Sequence, residues 1–280
     1  MPAAVPSSSL AGLETGPFLS LQREETLSFD TSAYPFAAVV KKALGLDEEV
    51  NLAKLHHGVL QPDEGGSTST RRAKRRLLAP FEQHGAAREA LNSLYDRFVR
   101  EVIAPHIHRV MPSQFVVYGQ CCLRVQPPSP VAIGVPHCDA NYGHQPGQIN
   151  FWLPLVDVCG ASSLHVESMP GQGDFHPLDL RHGEVARFYG NRCVHYTVPN
   201  QTDTTRVSLD FRVVPGGVYD PEPTGPAKQF RLAPGGFATG GEEVLINSIY
   251  YRRLDWDEGQ GSFVPWHAPD HESLMHEGPG

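Results

Sequence analysis

The sequence lacks any long hydrophobic run. Its most apolar stretches, FVVYG at 115–119 and VAIGV at 131–135, fall far short of the roughly 20 residues that a membrane-spanning helix needs, so no membrane association is expected. It also lacks positive charge. Lys and Arg number 23 against 31 Asp and Glu, a formal net charge of -8. A general nucleic-acid surface is excluded on that ground, because phosphate contacts need clustered cations. Paired cysteines are missing as well: Cys121, Cys122, Cys138, Cys159 and Cys193 are odd in number and show no CxxC spacing. That excludes a disulfide framework and a cysteine-based zinc site. The segment MPAAVPSSSLAGLETG has no basic stretch leading into an apolar one, so a secretory signal is not expected and a cytoplasmic location is. No internal repeat is evident.

What is present divides by pattern. Residues 1–16, rich in Pro, Ala, Ser and Gly, are expected to be flexible, and residues 17–280 to form a single domain. From 35 to 112 the pattern is mainly helical. FAAVVKKALGL carries apolar residues at three-to-four spacing, and AAREALNSLYDRFVREVI repeats Leu91, Leu94, Tyr95, Phe98, Val99 and Val102. QPDEGGSTST, at 61–70, reads as a polar loop. The basic run RRAKRR at 71–76 reads as a solvated loop or first helical turn, a polyanion or nuclear-localisation patch being the alternative.

Beyond Ser113 the character changes to short β-rich runs: QFVVYGQ, CLRVQ, VAIGVPH, INFWLPL, SSLHVES, EVARFYG, RCVHYTV and RVSLDFRVV. Strands so closely spaced predict a sandwich or barrel over 113–218, with Gly190-Asn191 as a tight hairpin turn. Helices first and strands afterwards give an α+β fold whose helices cover one outer face of the β core. Residues 219–280 are expected to pack on that core, with VLINSIYYRRLDW as one more strand or helix.

The chemistry sits in VPHCDANYGH at 135–144. His137 and Asp139 are two residues apart, so on an extended strand both point to one side and converge on one ion. Cys138, between them, points away. FYGNRCVHYTVPNQTDTTRVSLDFRVVP then supplies His195, with Arg206 eleven residues further and Ser208 two beyond that. Two histidines and one carboxylate form a facial triad, which leaves three positions on an octahedral iron for a bidentate 2-oxo acid and dioxygen. Arg206 offers a planar fork suited to a carboxylate, and Ser208 a further hydrogen bond. RVSLDFRV alternates, with Arg206, Ser208, Asp210 and Arg212 on one face and Val207, Leu209, Phe211 and Val213 on the other. A wall between a polar pocket and covering helices needs that pattern.

On these motifs the span from about Phe115 to Pro215 resembles the double-stranded β-helix (jelly-roll) core of Fe(II)/2-oxoglutarate dioxygenases, in the phytanoyl-CoA-hydroxylase-like branch. HCDANYGHQPGQINFWLPL and RFYGNRCVHYT resemble the dioxygenases of streptomycin-type antibiotic clusters. The resemblance implies that His137, Asp139 and His195 bind Fe(II), that Arg206 with Ser208 binds the distal carboxylate of 2-oxoglutarate, and that dioxygen and a small polar metabolite are the other reactants. Halogenating relatives replace the ligand carboxylate with a small residue, and Asp139 is intact.

Arg124, Gln126 and Asn150 are further candidates for the co-substrate or substrate, structural hydrogen bonding being the alternative for each. Tyr142, His144 and Gln145, directly after the ligand pair, are candidates for the substrate mouth. His165, His176 and His182 read as structural, and Phe151 and Trp152 as core. Two other functional classes stand beside the metabolite oxygenase: a non-enzymatic jelly-roll binding protein, and a hydroxylase of proteins or peptides.

Overall fold

The structure is a computed structural model that describes residue 13 and residues 16–60, 73–79, 85–220 and 252–266. The predicted loop at 61–70, most of the predicted flexible terminus and the VLINSIYY part of the late segment lie outside the described residues. The described helices are α1 (Pro17–Gln22), α2 (Phe36–Ala43), α3 (73–79), α4 (Ala86–Phe98) and α5 (Ala104–Val110), with a 3-10 turn at Leu52–His57; α2 packs on α4 and α1 on α5, whereas Lys74 of α3 lies near Arg206 and Arg124. Among the described residues no helix is long and apolar enough to cross a membrane. Most of the RRAKRR run falls in α3, which matches the helical reading.

The most regular apolar repeat becomes α4, which buries Leu91, Leu94, Tyr95 and Phe98 at three-to-four spacing. At Val99–Ile103 the helix widens into a π turn, after which Pro105 opens α5. Proline has no N–H to continue the ordinary ladder, and the extra residue absorbs the loss. This shift buries Ile103 fully and leaves the predicted core residue Val102 half-buried.

Among the described residues eleven strands form two antiparallel sheets. The large sheet takes β1 (Glu25–Ser28), β2 (Phe115–Tyr118), β3 (Cys122–Gln126), β4 (Ile149–Pro154), β7 (Glu184–Phe188), β9 (Arg206–Pro215), β10 (Arg252–Asp257) and β11 (Ser262–Pro265), in the order β1-β7-β4-β9-β2-β10-β11. Strand β3 also pairs with β9, beside β2. The small sheet has the order β6 (His176–Pro177), β5 (His165–Val166), β8 (His195–Tyr196), extended by a bridge between His195 and His137. This two-sheet arrangement is the double-stranded β-helix expected.

Strand β9 is the hinge between core and pocket. Its Leu209, Phe211 and Val213 are buried beneath the helices, where Phe211 meets Tyr95 at 5.1 Å and stacks on Phe151 at 5.3 Å. Each such buried ring contributes about 1.5–3 kcal/mol of transfer free energy, which fixes the register of β9 and so aims Arg206, Ser208, Asp210 and Arg212 the other way. Strand β4 is buried at every position because it is covered on both faces.

Two expectations are corrected. VAIGVPH forms no strand. Val131, Ile133 and Val135 are exposed side chains on an irregular segment, and only His137 pairs. Gly190-Asn191 is a turn but not a tight hairpin, since it carries the chain from β7 in the large sheet to β8 in the small one.

Candidate active site

His137 and His195 face each other across the bridge, His195 N–H donating to His137 O at 2.8 Å and His137 N–H to His195 O at 3.2 Å. Directly opposed residues of an antiparallel pair project to the same side, and the ring centroids stand 4.4 Å apart. Asp139 is brought to the same point by a different device from the strand alternation expected. Its N–H donates to Gly190 O at 2.9 Å, that of Ala140 donates to Asn191 O at 3.0 Å, and the chain enters a 3-10 turn at Asp139–Tyr142. Glycine is required at 190 by close approach: a Cβ there would lie 2.7 Å from the Asn150 side chain and 2.8 Å from the Phe188 ring. The ligating atoms of His137, Asp139 and His195 all lie within 4.8 Å of one another.

Hydrogen bonds select which atoms are free. His137 Nδ1 lies 2.7 Å from Val135 O and His195 Nδ1 3.1 Å from Cys193 O. A ring nitrogen facing a carbonyl carries the proton, so both Nε2 atoms present lone pairs to the shared space. Asp139 is divided in the same way. Its Oδ2 accepts from Arg212 Nε at 2.7 Å, Asn150 Nδ2 at 2.7 Å and Gln148 Nε2 at 3.2 Å, while Oδ1 faces His195 Nε2 at 3.6 Å. Burial alone would raise the Asp139 pKa, but the Arg212 guanidinium overrides it and holds the carboxyl well below the usual range. Burial lowers the His195 pKa in spite of Asp139 beside it, which keeps its ring neutral. A carboxylate oxygen and two neutral imidazole nitrogens are the donor set that suits a divalent iron.

A second feature lies along β3 and β9. Arg206 is 3% exposed, and its Nε and Nη1 have no protein partner; neither do Ser208 Oγ nor Gln126 Oε1, both fully buried. Gln126 stands opposite Arg206 in the register, and the Arg206 guanidinium lies 5.9 Å from the Trp152 ring centroid. Burial pulls the Arg206 pKa down to about 10, which still leaves it cationic at neutral pH. Orphaned buried donors around a cation are expensive unless something pairs with them, and a carboxylate has the charge and the two-oxygen shape for that fork. Iron and 2-oxoglutarate therefore both fit the residues present.

The remaining candidates fall less uniformly. Asn150 is drawn to Asp139, not to an oxo acid. Arg124 is mostly exposed and bound to Asp210 at 2.7 Å, which commits its guanidinium elsewhere. Tyr142 is exposed and stands edge-on to His137 at 5.1 Å, at the rim. His144 is half-buried with Nδ1 3.0 Å from Gln148 Oε1. Gln145 does not line a mouth: it is buried, its Oε1 accepting from Asp220 N–H at 2.9 Å and its carbonyl from Asn191 Nδ2 at 2.9 Å. Cys138 turns to Asn141. His176 pairs with Glu24 and His165 stacks on Tyr196, as structural residues do. Sequence reasoning missed Arg212 and Gln148. Arg212 was visible as part of the polar face of β9, but nothing in the sequence marked it as the partner of Asp139.

No family model matches the chain. The streptomycin biosynthesis protein StrG of Streptomyces griseus is 26% identical over 195 residues, covering 70% of this chain and 86% of StrG. Among solved structures, the nickel complex of the non-heme monooxygenase ThoJ overlays with a TM-score of 0.47 at 14% identity, over 92% of this chain and 91% of that one. The epimerase SnoN from nogalamycin biosynthesis gives 0.42 at 18% identity, over 83% and 94%. Likeness at that level adds nothing to what the side chains above already state. The chain is thus a relative of StrG built on a double-stranded β-helix, with the donor set and buried arginine that its resemblance to the phytanoyl-CoA-hydroxylase-like Fe(II)/2-oxoglutarate dioxygenases implies.

Proposed function

We propose that the chain is an Fe(II)- and 2-oxoglutarate-dependent oxygenase that hydroxylates a small polar metabolite. The observation that carries this reading is the pairing of a His137, Asp139, His195 donor set with the unpartnered, buried Arg206 and Ser208. A bare metal-binding module has no use for a desolvated guanidinium; a 2-oxo dicarboxylate does. Iron, when bound, supplies the activation of dioxygen that couples decarboxylation of 2-oxoglutarate to oxidation of the substrate.

The chain's own residues position and exclude. His137, Asp139 and His195 would hold the ion, and Arg212, Asn150 and Gln148 keep Asp139 ionised, three donors falling on Oδ2 and only the longer Arg212 Nη2 contact, 3.4 Å, on Oδ1. Arg206, Ser208 and Gln126 would hold the distal carboxylate of the co-substrate. His144, whose Nδ1 proton goes to Gln148, turns an Nε2 acceptor to the substrate, and Tyr142 borders the opening. The intact Asp139 leaves no place for a halide, which favours hydroxylation. The polar metabolite is suggested by the relationship to StrG, a protein named for streptomycin biosynthesis.

The test is turnover under labelled dioxygen with candidate aminocyclitols, sugars and amino acids, run against candidate peptides. One labelled oxygen in succinate and one in a metabolite product is the expected result. Labelled product from peptides alone would replace the substrate class, and absence of any 2-oxoglutarate decarboxylation by the iron-loaded protein would move the reading to a binding protein.

A further inference from the structure

Among the described residues, two histidines and one aspartate converge a second time, at the segment that leads into β9. His56 and His57 end the 3-10 turn, and Asp203 lies three residues before Arg206. Asp203 Oδ1 is 2.8 Å from His56 Nε2 and 3.2 Å from His57 Nε2, the two rings being 4.1 Å apart. Two ligands each held about 2.0–2.2 Å from one ion at 90–109° stand about 2.8–3.6 Å apart, so these separations suit a shared cation with little rearrangement. The outer polar atoms have partners of their own. His56 Nδ1 meets Thr205 Oγ1 at 2.8 Å, and Asp203 Oδ2 is taken by Lys54, whose Nζ also donates to the Asp203 carbonyl at 2.6 Å. Both Nε2 atoms face Asp203 Oδ1, so a bound ion would take the place of the contacts that now join them to it.

We infer that His56, His57 and Asp203 form a second divalent-metal site, selective for zinc-like ions, separate from the catalytic centre. Two imidazoles and a carboxylate suit Zn²⁺ with water as a fourth ligand, and all the more where the site is exposed and nothing enforces octahedral geometry. The ion would fasten the 52–57 turn to the segment that enters β9. That junction already carries one backbone bond, Thr205 N–H to Ala53 O at 2.7 Å, next to Arg206. The site acts as a brace.

The experiment is a zinc titration of untagged, chelator-stripped full-length protein, with bound metal counted after gel filtration. Wild type is expected to hold two equivalents, His57→Ala one, Asp139→Ala one, and the double variant none. His57 is mostly exposed, so its removal leaves the fold intact. The His57→Ala protein is also expected to keep its iron and its 2-oxoglutarate affinity. Thermal unfolding gives a second readout: zinc raises the Tm of Asp139→Ala and does not raise that of the double variant. No zinc in Asp139→Ala, or a count in His57→Ala equal to that of wild type, would overturn the inference. Loss of iron from His57→Ala would overturn its independence from the catalytic centre. Failure of the oxygenase reading leaves the zinc counts at 56, 57 and 203 unaffected.

Discussion

The chain holds two clusters of the same donors, and they differ in nearly everything around the donors. Asp139 is 1% exposed and Asp203 68%. Asp139 is held by a guanidinium and two side-chain amides, each buried or nearly so; Asp203 is held by a lysine that is itself 42% exposed. Among the described residues, the polar face of β9 that carries Arg212, the partner of Asp139, also carries the unpartnered Arg206. The donor set alone therefore does not make a catalytic centre. Burial makes the carboxylate dependent on its neighbours, and the neighbouring anion cradle gives the open face of the metal something to bind.

The sharpest way to break that comparison is to remove the two aspartates in turn. Asp139→Ala is expected to abolish iron binding at micromolar metal and all 2-oxoglutarate turnover, a larger loss than the about 10–100-fold that follows from disturbing a ligand's supports. Asp203→Ala is expected to keep both. Iron content by mass spectrometry together with succinate release decides it, and equal losses in the two variants would erase the distinction drawn here.

Next in size is Arg206→Ala. Leaving one partner of a buried charged pair alone costs about 3–5 kcal/mol, or roughly two to three and a half orders of magnitude in 2-oxoglutarate affinity. Iron is expected to stay, since Arg206 makes no contact with the ligands. A calorimetric titration with unchanged 2-oxoglutarate affinity would remove Arg206 from the co-substrate site.

The contrast between the clusters also explains what could be read from sequence. That His137, Asp139 and His195 would come together was legible from residue types whose chemistry is narrow, although a 3-10 turn and not strand alternation brings Asp139 there. The strands β2, β3, β4, β7 and β9 were legible from β-branched and aromatic alternation. Strand β1 was not, because ETLS is four mostly exposed residues that earn strand geometry only by lying along the edge of β7. VAIGVPH misled for the opposite reason: its apolar side chains suggested a buried strand, and in the fold no partner covers them. Arg212 bonds to a residue 73 positions away and Lys54 to one 149 away, distances over which a single sequence carries no pattern.

Arg212 sharpens the comparison at the level of the supports. It presents Nε to Asp139 Oδ2 at 2.7 Å and is also near Asp210, 3.5 Å away. Arg212→Gln keeps a donor of shorter reach but removes the charge that offsets burial of Asp139. Iron affinity is expected to fall about 10–100-fold, with 2-oxoglutarate affinity of the iron-saturated protein little changed. A competition titration against a chelator measures the first quantity. Unaltered iron affinity would mean that the amides of Asn150 and Gln148 suffice to orient the carboxylate.

The smallest expected effect is that of Lys54→Ala, the matching change at the exposed cluster. Lys54 occupies the outer oxygen of Asp203 as Arg212 occupies that of Asp139, so a purely geometric account would predict a comparable loss of metal there. Solvent access argues otherwise. An exposed lysine–carboxylate pair is worth little because water hydrates both groups when they part, and salt screens what attraction remains. Removing the lysine also removes a positive charge close to a divalent cation, which opposes any loss of orientation. Zinc affinity at the exposed cluster is therefore expected to change by no more than about fivefold in either direction, and by less at higher ionic strength. Zinc titrations of Lys54→Ala in the Asp139→Ala background, at low and high salt, isolate the effect. A fall as large as that expected for iron in Arg212→Gln would mean that the outer cation governs both clusters alike, and that burial is not what separates them.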